Sequence, residues 1–279
     1  MNIDFIKMHG AGNDYVYLDL IKNKYNLDFG KLSKKISDRH IGVGSDGLVL
    51  ILKKNDHFQM RMFNADGSEA EMCGNAIRCV AKYLYDYGYT DSELIKIDTL
   101  AGLKEVRIES KNQDGKVETV KVNMGEPILN GRDIPVNYDG EPVTDLVVLG
   151  YRGTAVSMGN PHIVIIVDEI TDKHVLVDGP QIEKHPLFPE RTNVEFIKIL
   201  DRSNIQMRVW ERGSGETLAC GTGACASAVA CILNGLTDSI INVHLKGGIL
   251  KIEWNGPGTP VYMTGPAELV FTGTYFYND

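Results

Sequence analysis

The chain has 279 residues, of which 43% are hydrophobic and 24% are charged, a composition typical of a globular protein. Its net charge of −8 argues against binding to nucleic acid or to a membrane surface, because both roles need clustered positive charge. No signal-peptide pattern begins the chain, and the longest apolar run, 163–167, is far too short to span a bilayer. The five cysteines include no CxxC pair, which indicates free thiols in a reducing cytoplasm.

An internal duplication organises the sequence. When the chain is shifted by 147 residues, the spacing between Cys73 and Cys220, two halves align without a gap over a long stretch. Identical residues then fall together in clusters: Gly12-Asn13 with Gly159-Asn160, Gln59-Met60-Arg61 with Gln206-Met207-Arg208, Cys73-Gly74 with Cys220-Gly221, and Thr90-Asp91-Ser92 with Thr237-Asp238-Ser239. Because the matches share one offset and similar surroundings, we interpret the halves as homologous.

The predicted elements follow the same order in each half. The first half reads as a strand, a short helix, two strands and a longer helix, at 15–20, 29–40, 47–52, 59–63 and 75–88; the second half repeats them at 162–167, 179–186, 194–199, 206–210 and 222–235. Gly88 and Gly235 stand where a glycine would end each longer helix. More strands close each half, including 104–108 and 249–254.

These elements predict an α+β fold of two pseudo-symmetric, strand-rich domains, each wrapped around a central helix, with an active site in the cleft between them. We expect residues 1–128 to carry Cys73 and residues 129–279 to carry Cys220. The tail, 268–279, shows no repeat partner and is expected to add a strand to one of the halves.

Cys73 and Cys220 each stand immediately before a predicted helix. The exposed N–H groups and the dipole at a helix N-terminus favour a thiolate, and they also favour a bound carboxylate. A lone cysteine at such a place is usually a small buried residue, but its recurrence in both halves points to function. Cys79, Cys225 and Cys231 do not align with one another and are expected in the core.

Two thiols facing one carboxylate site suit the inversion of an α-carbon. A proton must leave one face and another must arrive on the opposite face, which two bases achieve more easily than one. One cysteine would be the thiolate and the other the thiol. Backbone N–H groups at Gly74-Asn75 and Gly221-Thr222 would stabilise the negative charge that develops in the carboxylate.

Selectivity must come from positions at which the halves differ. Asn64 aligns with Glu211, Ala65 with Arg212, Tyr15 with His162 and Asp46 with Asn193. An arginine can grip a carboxylate through two hydrogen bonds, and a glutamate can accept from an ammonium group, so Glu211-Arg212 predicts recognition of a second amino-acid head group. His162 is a candidate for tuning a nearby thiol.

Five motifs across nearly the whole chain resemble the diaminopimelate epimerase family: KMHGAGNDYV (7–16), MFNADGSEAEMCGNAIRC (62–79), MGNPH (158–162), TNVEF (192–196) and ERGSGETLACGTGACA (211–226). The resemblance implies an isomerase that interconverts LL- and meso-2,6-diaminopimelate without pyridoxal phosphate, for lysine and peptidoglycan precursors. It implies no cofactor and no metal, a small-molecule substrate and possible homodimerisation.

The resemblance also assigns residues. Cys73 and Cys220 would be the acid and base, assisted by His162 and Glu211. Substrate contacts would come from Asn13, Asn64, Gly74, Asn75, Asn160, Asn193, Glu211, Arg212, Gly221 and Thr222. One departure stands out, because some members have a substrate-binding glutamine where this chain has Gly47.

Two alternatives stay open from the residues alone. The first is another two-cysteine racemase of the same superfamily, acting on proline, hydroxyproline or a further amino acid, which would not need Arg212 beside Glu211. The second is a binding or thiol-redox protein on the same scaffold, which the two intact cysteines and the missing CxxC pair disfavour.

Overall fold

The computed structural model describes residues 1–278. It divides into two compact units. The first comprises Met1–Val122 and the segment that begins at Thr264, and the second comprises Asn123–Met263. Within the described residues no helix is long and apolar enough to cross a membrane.

The first unit contains eight strands and two helices before the chain enters the second. They are β1 (Asn2–Gly10), β2 (Asn13–Asp19), α1 (Phe29–Ile36), β3 (Gly47–Lys54), β4 (His57–Asn64), β5 (Glu69–Ala70), α2 (Gly74–Asp86), β6 (Leu94–Thr99), β7 (Gly102–Lys111) and β8 (Val117–Gly125). β1 pairs antiparallel with β2, β2 parallel with β3, and β3 antiparallel with β4. β4 then pairs parallel with β6, and β6, β7 and β8 follow antiparallel.

The second unit repeats this order. Its elements are β9 (Val143–Val148), β10 (Tyr151–Ser157), β11 (Pro161–Ile166), a π-helical turn (Lys173–Asp178), α3 (Gly179–Glu183), β12 (Asn193–Asp201), β13 (Asn204–Glu211), β14 (Gly215–Glu216), α4 (Gly221–Leu233), β15 (Ile240–Leu245), β16 (Gly248–Glu253) and β17 (Val261–Pro266). β10 pairs antiparallel with β11, β11 parallel with β12, and β12 antiparallel with β13. β13 continues parallel to β15, and β15 antiparallel to β16. The α+β class and the repeated order of elements are therefore as predicted.

The last strand, β18 (Glu268–Phe276), returns to the first unit and pairs antiparallel with β1. Its place beside β1 matches the place of β9 beside β10 in the second unit. The expectation that the tail has no repeat partner was wrong, because its counterpart precedes the second half instead of following it. The tail was expected to add a strand to one of the halves, and it adds β18 to the first unit. The units divide between Val122 and Asn123, whereas the sequence analysis placed the division at residue 128.

The longer helices α2 and α4 are largely buried in their units. α2 packs on β1, β2 and β7, and α4 packs on β10–β13 and on β15 and β16. Alanines and other small residues fill α4 and allow its backbone to approach the sheet on several sides. Each helix ends as predicted, with Gly88 at φ +75 and Gly235 at φ +68 in the left-handed conformation that glycine tolerates.

Candidate active site

The candidate site of the first unit forms where three strand ends meet. β2 begins at Asn13, β3 begins at Gly47 and β4 ends at Asn64. The strand register places Tyr15 opposite Gly47, and Gly47 opposite Asn64. The sheet therefore gathers residues that lie far apart in sequence at one edge.

Cys73 is the N-cap residue of α2, with an extended backbone at φ −133 and ψ 122. Its side chain is half-buried, and Sγ donates to Asn13 Oδ1 at 3.3 Å. The buried Asn75 also donates to Asn13 Oδ1, at 3.2 Å from its Nδ2. Gly74 is the first residue of the helix and is buried. The thiol thus lies at the N-terminus of α2, and it is one of two donors to the amide oxygen of Asn13.

Burial raises the pKa of the Cys73 thiol, and the backbone N–H groups of Ala76 and Asn75 and the Tyr15 hydroxyl oppose that rise. Tyr15 is itself buried, and burial together with the nearby thiol raises the pKa of its hydroxyl well above the ordinary value. The hydroxyl lies near Cys73 and Asn13, and it favours the ionised form of the thiol. Tyr15 is therefore a contact of the thiol that the sequence analysis did not assign to the site.

A charged network fixes the orientation of Asn13. Asn13 Nδ2 donates to Asp46 Oδ2 at 2.7 Å, which leaves Asn13 Oδ1 facing the thiol. Arg39 bridges Asp14 and Asp46, at 2.7 and 2.9 Å, and Lys7 pairs with Asp14. Burial and the neighbouring Asp14 raise the pKa of Asp46. Although burial opposes it, the hydrogen bonds from Arg39 and Lys7 lower the pKa of Asp14.

Gly47 leaves no room for a side chain. A Cβ built on it would lie 2.1 Å from the carbonyl oxygen of Phe63 and 3.0 Å from Tyr15 Cε1. A glutamine at this position would require the neighbouring backbone of β4 to shift. Asn64 beside it is partly buried and donates from Nδ2 to Ser68 Oγ at 3.0 Å.

The second unit builds an equivalent site around Cys220. Cys220 is the N-cap of α4, with φ −112 and ψ 109, and its sulfur accepts from the backbone N–H of Gly223 at 3.3 Å. The Thr222 hydroxyl lies 3.5 Å from the same sulfur, and Gly221 begins the helix. Burial raises the pKa of Cys220 well above its ordinary value, and the carboxylates of Glu211 and Glu195 raise it further.

Glu211, the last residue of β13, reaches the second thiol. Its carboxylate accepts from the Thr217 hydroxyl, and Cys220 lies near enough to influence its pKa. Burial is the main reason that the pKa of Glu211 is raised. A carboxylate beside a thiol favours the protonated form of that thiol.

A buried histidine and a buried glutamate are linked to this site by hydrogen bonds. His162 Nδ1 lies 2.7 Å from Glu195 Oε1, and both side chains are fully buried. His162 Nε2 lies 3.0 Å from Asn160 Oδ1, and Asn160 Nδ2 donates to Thr222 Oγ1 at 3.3 Å. A continuous chain of contacts therefore runs from Glu195 to the start of α4. Glu195 was missed from the sequence, although a charged residue inside the apolar strand 194–199 was the available signal.

Asn193 and Arg212 meet at the strand ends of the second unit. Asn193 is buried, donates from Nδ2 to the Pro161 carbonyl at 2.8 Å and accepts from the Arg212 backbone N–H at 2.9 Å. In this state its amide positions the backbone of Arg212. The Arg212 guanidinium donates to the Glu190 carbonyl at 3.1 Å.

The predicted residues fall into two local groups. Asn13, Asn64, Cys73, Gly74 and Asn75 gather in the first unit, and Asn160, His162, Asn193, Glu211, Arg212, Cys220, Gly221 and Thr222 gather in the second. Cys79, Cys225 and Cys231 are fully buried, as predicted for core positions.

Solved structures with the same fold include a phenazine biosynthesis protein and an epimerase. A phenazine biosynthesis protein of the PhzF family from Enterococcus faecalis matches with a TM-score of 0.71 at 15% identity, covering 99% of this chain and 100% of its own. A hydroxyproline epimerase from Agrobacterium vitis matches with a TM-score of 0.69 at 14% identity, covering 98% and 92%. At these identities the likeness establishes the fold alone.

Sequence comparisons are more specific. A protein named diaminopimelate epimerase from Acetivibrio thermocellus is 52% identical and covers 99% of each chain. One of the same name from Pelotomaculum thermopropionicum is 53% identical and covers 98% of this chain and 99% of its own. The family model described as diaminopimelate epimerase matches residues 5–129 and 154–270. With relatives this similar along the whole length, the chain belongs to the diaminopimelate epimerase family of isomerases.

Proposed function

We propose that the protein interconverts LL- and meso-2,6-diaminopimelate by proton transfer between two cysteines, without a cofactor, for lysine and peptidoglycan precursors. The observation that carries this proposal is the equivalent placement of Cys73 and Cys220, each at the N-cap of the longest helix of its unit. Membership of the family supports the substrate.

The chemistry requires the thiols to flank one α-carbon. A thiolate removes the α-proton and becomes a thiol, while the electron pair moves into the substrate carboxylate. The opposite thiol then delivers its proton to the other face and becomes the thiolate. Gly74-Asn75 and Gly221-Thr222 begin helices, so their backbone N–H groups suit the carboxylate that gains charge.

The supporting residues have distinct proposed roles. Asn13, Asn64, Asn160 and Asn193 bind or orient substrate groups, and Glu211 and Arg212 hold the distal amino-acid head group. Glu211 also contacts Cys220, and His162 acts on that thiol through Asn160 and Thr222. We further propose that the enzyme is a cytoplasmic homodimer that binds no nucleic acid. Size-exclusion chromatography with light scattering tests the dimer.

Chiral chromatography after incubation with LL-diaminopimelate, proline or hydroxyproline tests the substrate. We expect the meso isomer to form from LL-diaminopimelate and the other amino acids to stay unchanged. Conversion of proline or hydroxyproline in place of diaminopimelate would assign the chain to a different racemase activity.

Arg212→Lys tests the distal contact. A lysine cannot reproduce a two-bond contact with a carboxylate, so we expect kcat/KM for diaminopimelate to fall by about 10- to 100-fold. Arg191→Lys is the matched control, since the Arg191 side chain is exposed and pairs with Glu183 at 3.5 Å. Equal kcat/KM values for the two variants would contradict the role of Arg212.

A further inference from the structure

The two equivalent sites have side chains of opposite charge near their thiols. Among the repeat-equivalent pairs that differ, three show this contrast: Arg78 matches Cys225, Leu48 matches Glu195, and Asn64 matches Glu211. The first unit thus has a cation where the second has a thiol, and the second has two carboxylates where the first has leucine and asparagine.

Arg78 lies one turn into α2 and is fully buried. Its Nε donates to the Pro266 carbonyl at 3.1 Å, and one terminal nitrogen donates to the Gly74 carbonyl at 3.2 Å. A Cβ on Gly10 would lie 2.8 Å from the other terminal nitrogen, so Gly10 makes space for the guanidinium. An arginine stays charged in proteins, and its charge acts strongly over short distances in a poorly solvated interior. Arg78 favours the ionised form of Cys73.

The other groups that face Cys73 are polar and uncharged at neutral pH. The Tyr15 hydroxyl on β2 and the N–H groups of Asn75 and Ala76 favour the thiolate, whereas Asn13 Oδ1 accepts the S–H proton and favours the thiol. Asp46 stands behind Asn13 and is bridged to Arg39.

Cys220 faces two carboxylates from separate strands. Glu211 on β13 disfavours ionisation of the thiol, and Glu195 on β12 lies close enough that its Oε1 would be 2.6 Å from a Cβ on Gly223. His162 on β11 pairs with the same oxygen, Oε1 of Glu195, at 2.7 Å. The Gly223 N–H and the Thr222 hydroxyl favour the thiolate here.

We propose that the free enzyme is electrostatically asymmetric, so that Cys73 is the thiol that ionises first and Cys220 retains its proton. The proposal rests on the proposed function, in which both thiols exchange protons with substrate. An isomer whose α-proton faces Cys73 therefore meets a thiolate in the free enzyme. The other isomer can react only after the proton of Cys220 has moved to Cys73. Arg78 is a positioning residue, because it acts on substrate only through Cys73.

Pulse alkylation across pH measures the order of ionisation without substrate. The full-length protein is treated briefly with iodoacetamide from pH 6 to 11, and peptide mass spectrometry follows the rate at each cysteine. Because the thiolate is the nucleophile, the pH midpoint reports ionisation, whatever the accessibility of the sulfur. We expect the Cys73 midpoint to lie at least about one pH unit below that of Cys220, a tenfold difference in proton affinity. Equal midpoints, or a lower one at Cys220, would overturn the proposal.

Variants assign the cause. Arg78→Met should raise the Cys73 midpoint and leave Cys220 unchanged, whereas Arg78→Lys, which keeps the charge, should stay close to wild type. Glu211→Gln should lower only the Cys220 midpoint. Cys225→Ala, at the repeat-equivalent of Arg78, is the control and should move neither.

Equal shifts at Cys73 in the Met and Lys variants of Arg78, or no shift in either, would refute the electrostatic role of Arg78. If the Arg78 variants do not fold, the wild-type midpoints and the Glu211→Gln shift still decide the order. Ordered midpoints in a protein that leaves diaminopimelate unchanged would refute the proposed function alone, and equal midpoints in an active epimerase would refute the asymmetry alone.

Discussion

Cys73 and Cys220 occupy equivalent places in the two units but different electrostatic surroundings. Both cap a helix with an extended backbone, and both follow strands with the same pairing order. Cys73 is surrounded by Asn13, Tyr15 and the cation of Arg78, whereas Cys220 is surrounded by Glu211 and the His162–Glu195 pair. The duplicated backbone thus positions both thiols, while a few side chains differ in the charge that they place near each thiol.

The largest expected effect is a loss of stability at the second site, which has a buried ion pair. His162→Leu removes the partner of the fully buried Glu195, so we expect the free energy of unfolding to fall by about 3–5 kcal/mol. Urea denaturation measures it. Replacing both residues by leucine removes the unpaired charge and should recover part of the loss. A single variant as stable as the wild type would show that the pair does not support the second site.

Gly47 and its repeat-equivalent Val194 give the next comparison, because only the first unit excludes a side chain there. Gly47→Ala forces Cβ toward the Phe63 carbonyl, so we expect a loss of about 1–3 kcal/mol in urea denaturation. Gly140→Ala is the control, since its nearest contact is the end of the Tyr138 side chain at 3.2 Å. If both variants lose the same stability, the tight contact at Gly47 has no energetic consequence.

Tyr15 and His162 are also repeat-equivalent, and Tyr15→Phe gives the smallest expected effect. Loss of one hydroxyl that contacts the Cys73 thiol should lower kcat/KM about tenfold and raise the pH at which Cys73 reacts with iodoacetamide. Tyr17→Phe removes a buried hydroxyl on the same strand that donates instead to the Ala76 carbonyl at 3.4 Å. If the two variants have the same kcat/KM and the same pH dependence of Cys73 alkylation, the Tyr15 hydroxyl has no specific effect on the Cys73 thiol.

Much of the fold follows from the sequence because the duplication tests each prediction twice. The helices that begin after Cys73 and Cys220 end at Gly88 and Gly235, where apolar periodicity and the glycines predict them. The place of β18 did not follow, because its counterpart β9 stands at the opposite end of its half in sequence. The order of strands along the chain does not reveal such an exchange when the paired strands, like β1 and β18, are far apart in sequence.

The candidate site was predicted in part for a similar reason. Residues next to a motif, such as Asn13 and Glu211, stand out from their neighbours in the sequence. Arg78 and Glu195 lie inside apolar elements, and their burial and contacts depend on tertiary packing. The crowding at Gly47 likewise depends on the carbonyl of Phe63 in the adjacent strand.

The central claim is that both thiols transfer protons to one α-carbon. The most direct measurement is proton NMR of LL-diaminopimelate in D₂O with the wild type, Cys73→Ala and Cys220→Ala. The account predicts that the wild type forms the meso isomer with deuterium at one α-carbon, and that each single variant loses epimerisation by at least about 100-fold. Formation of the meso isomer at a near-normal rate by either variant would contradict the two-thiol mechanism.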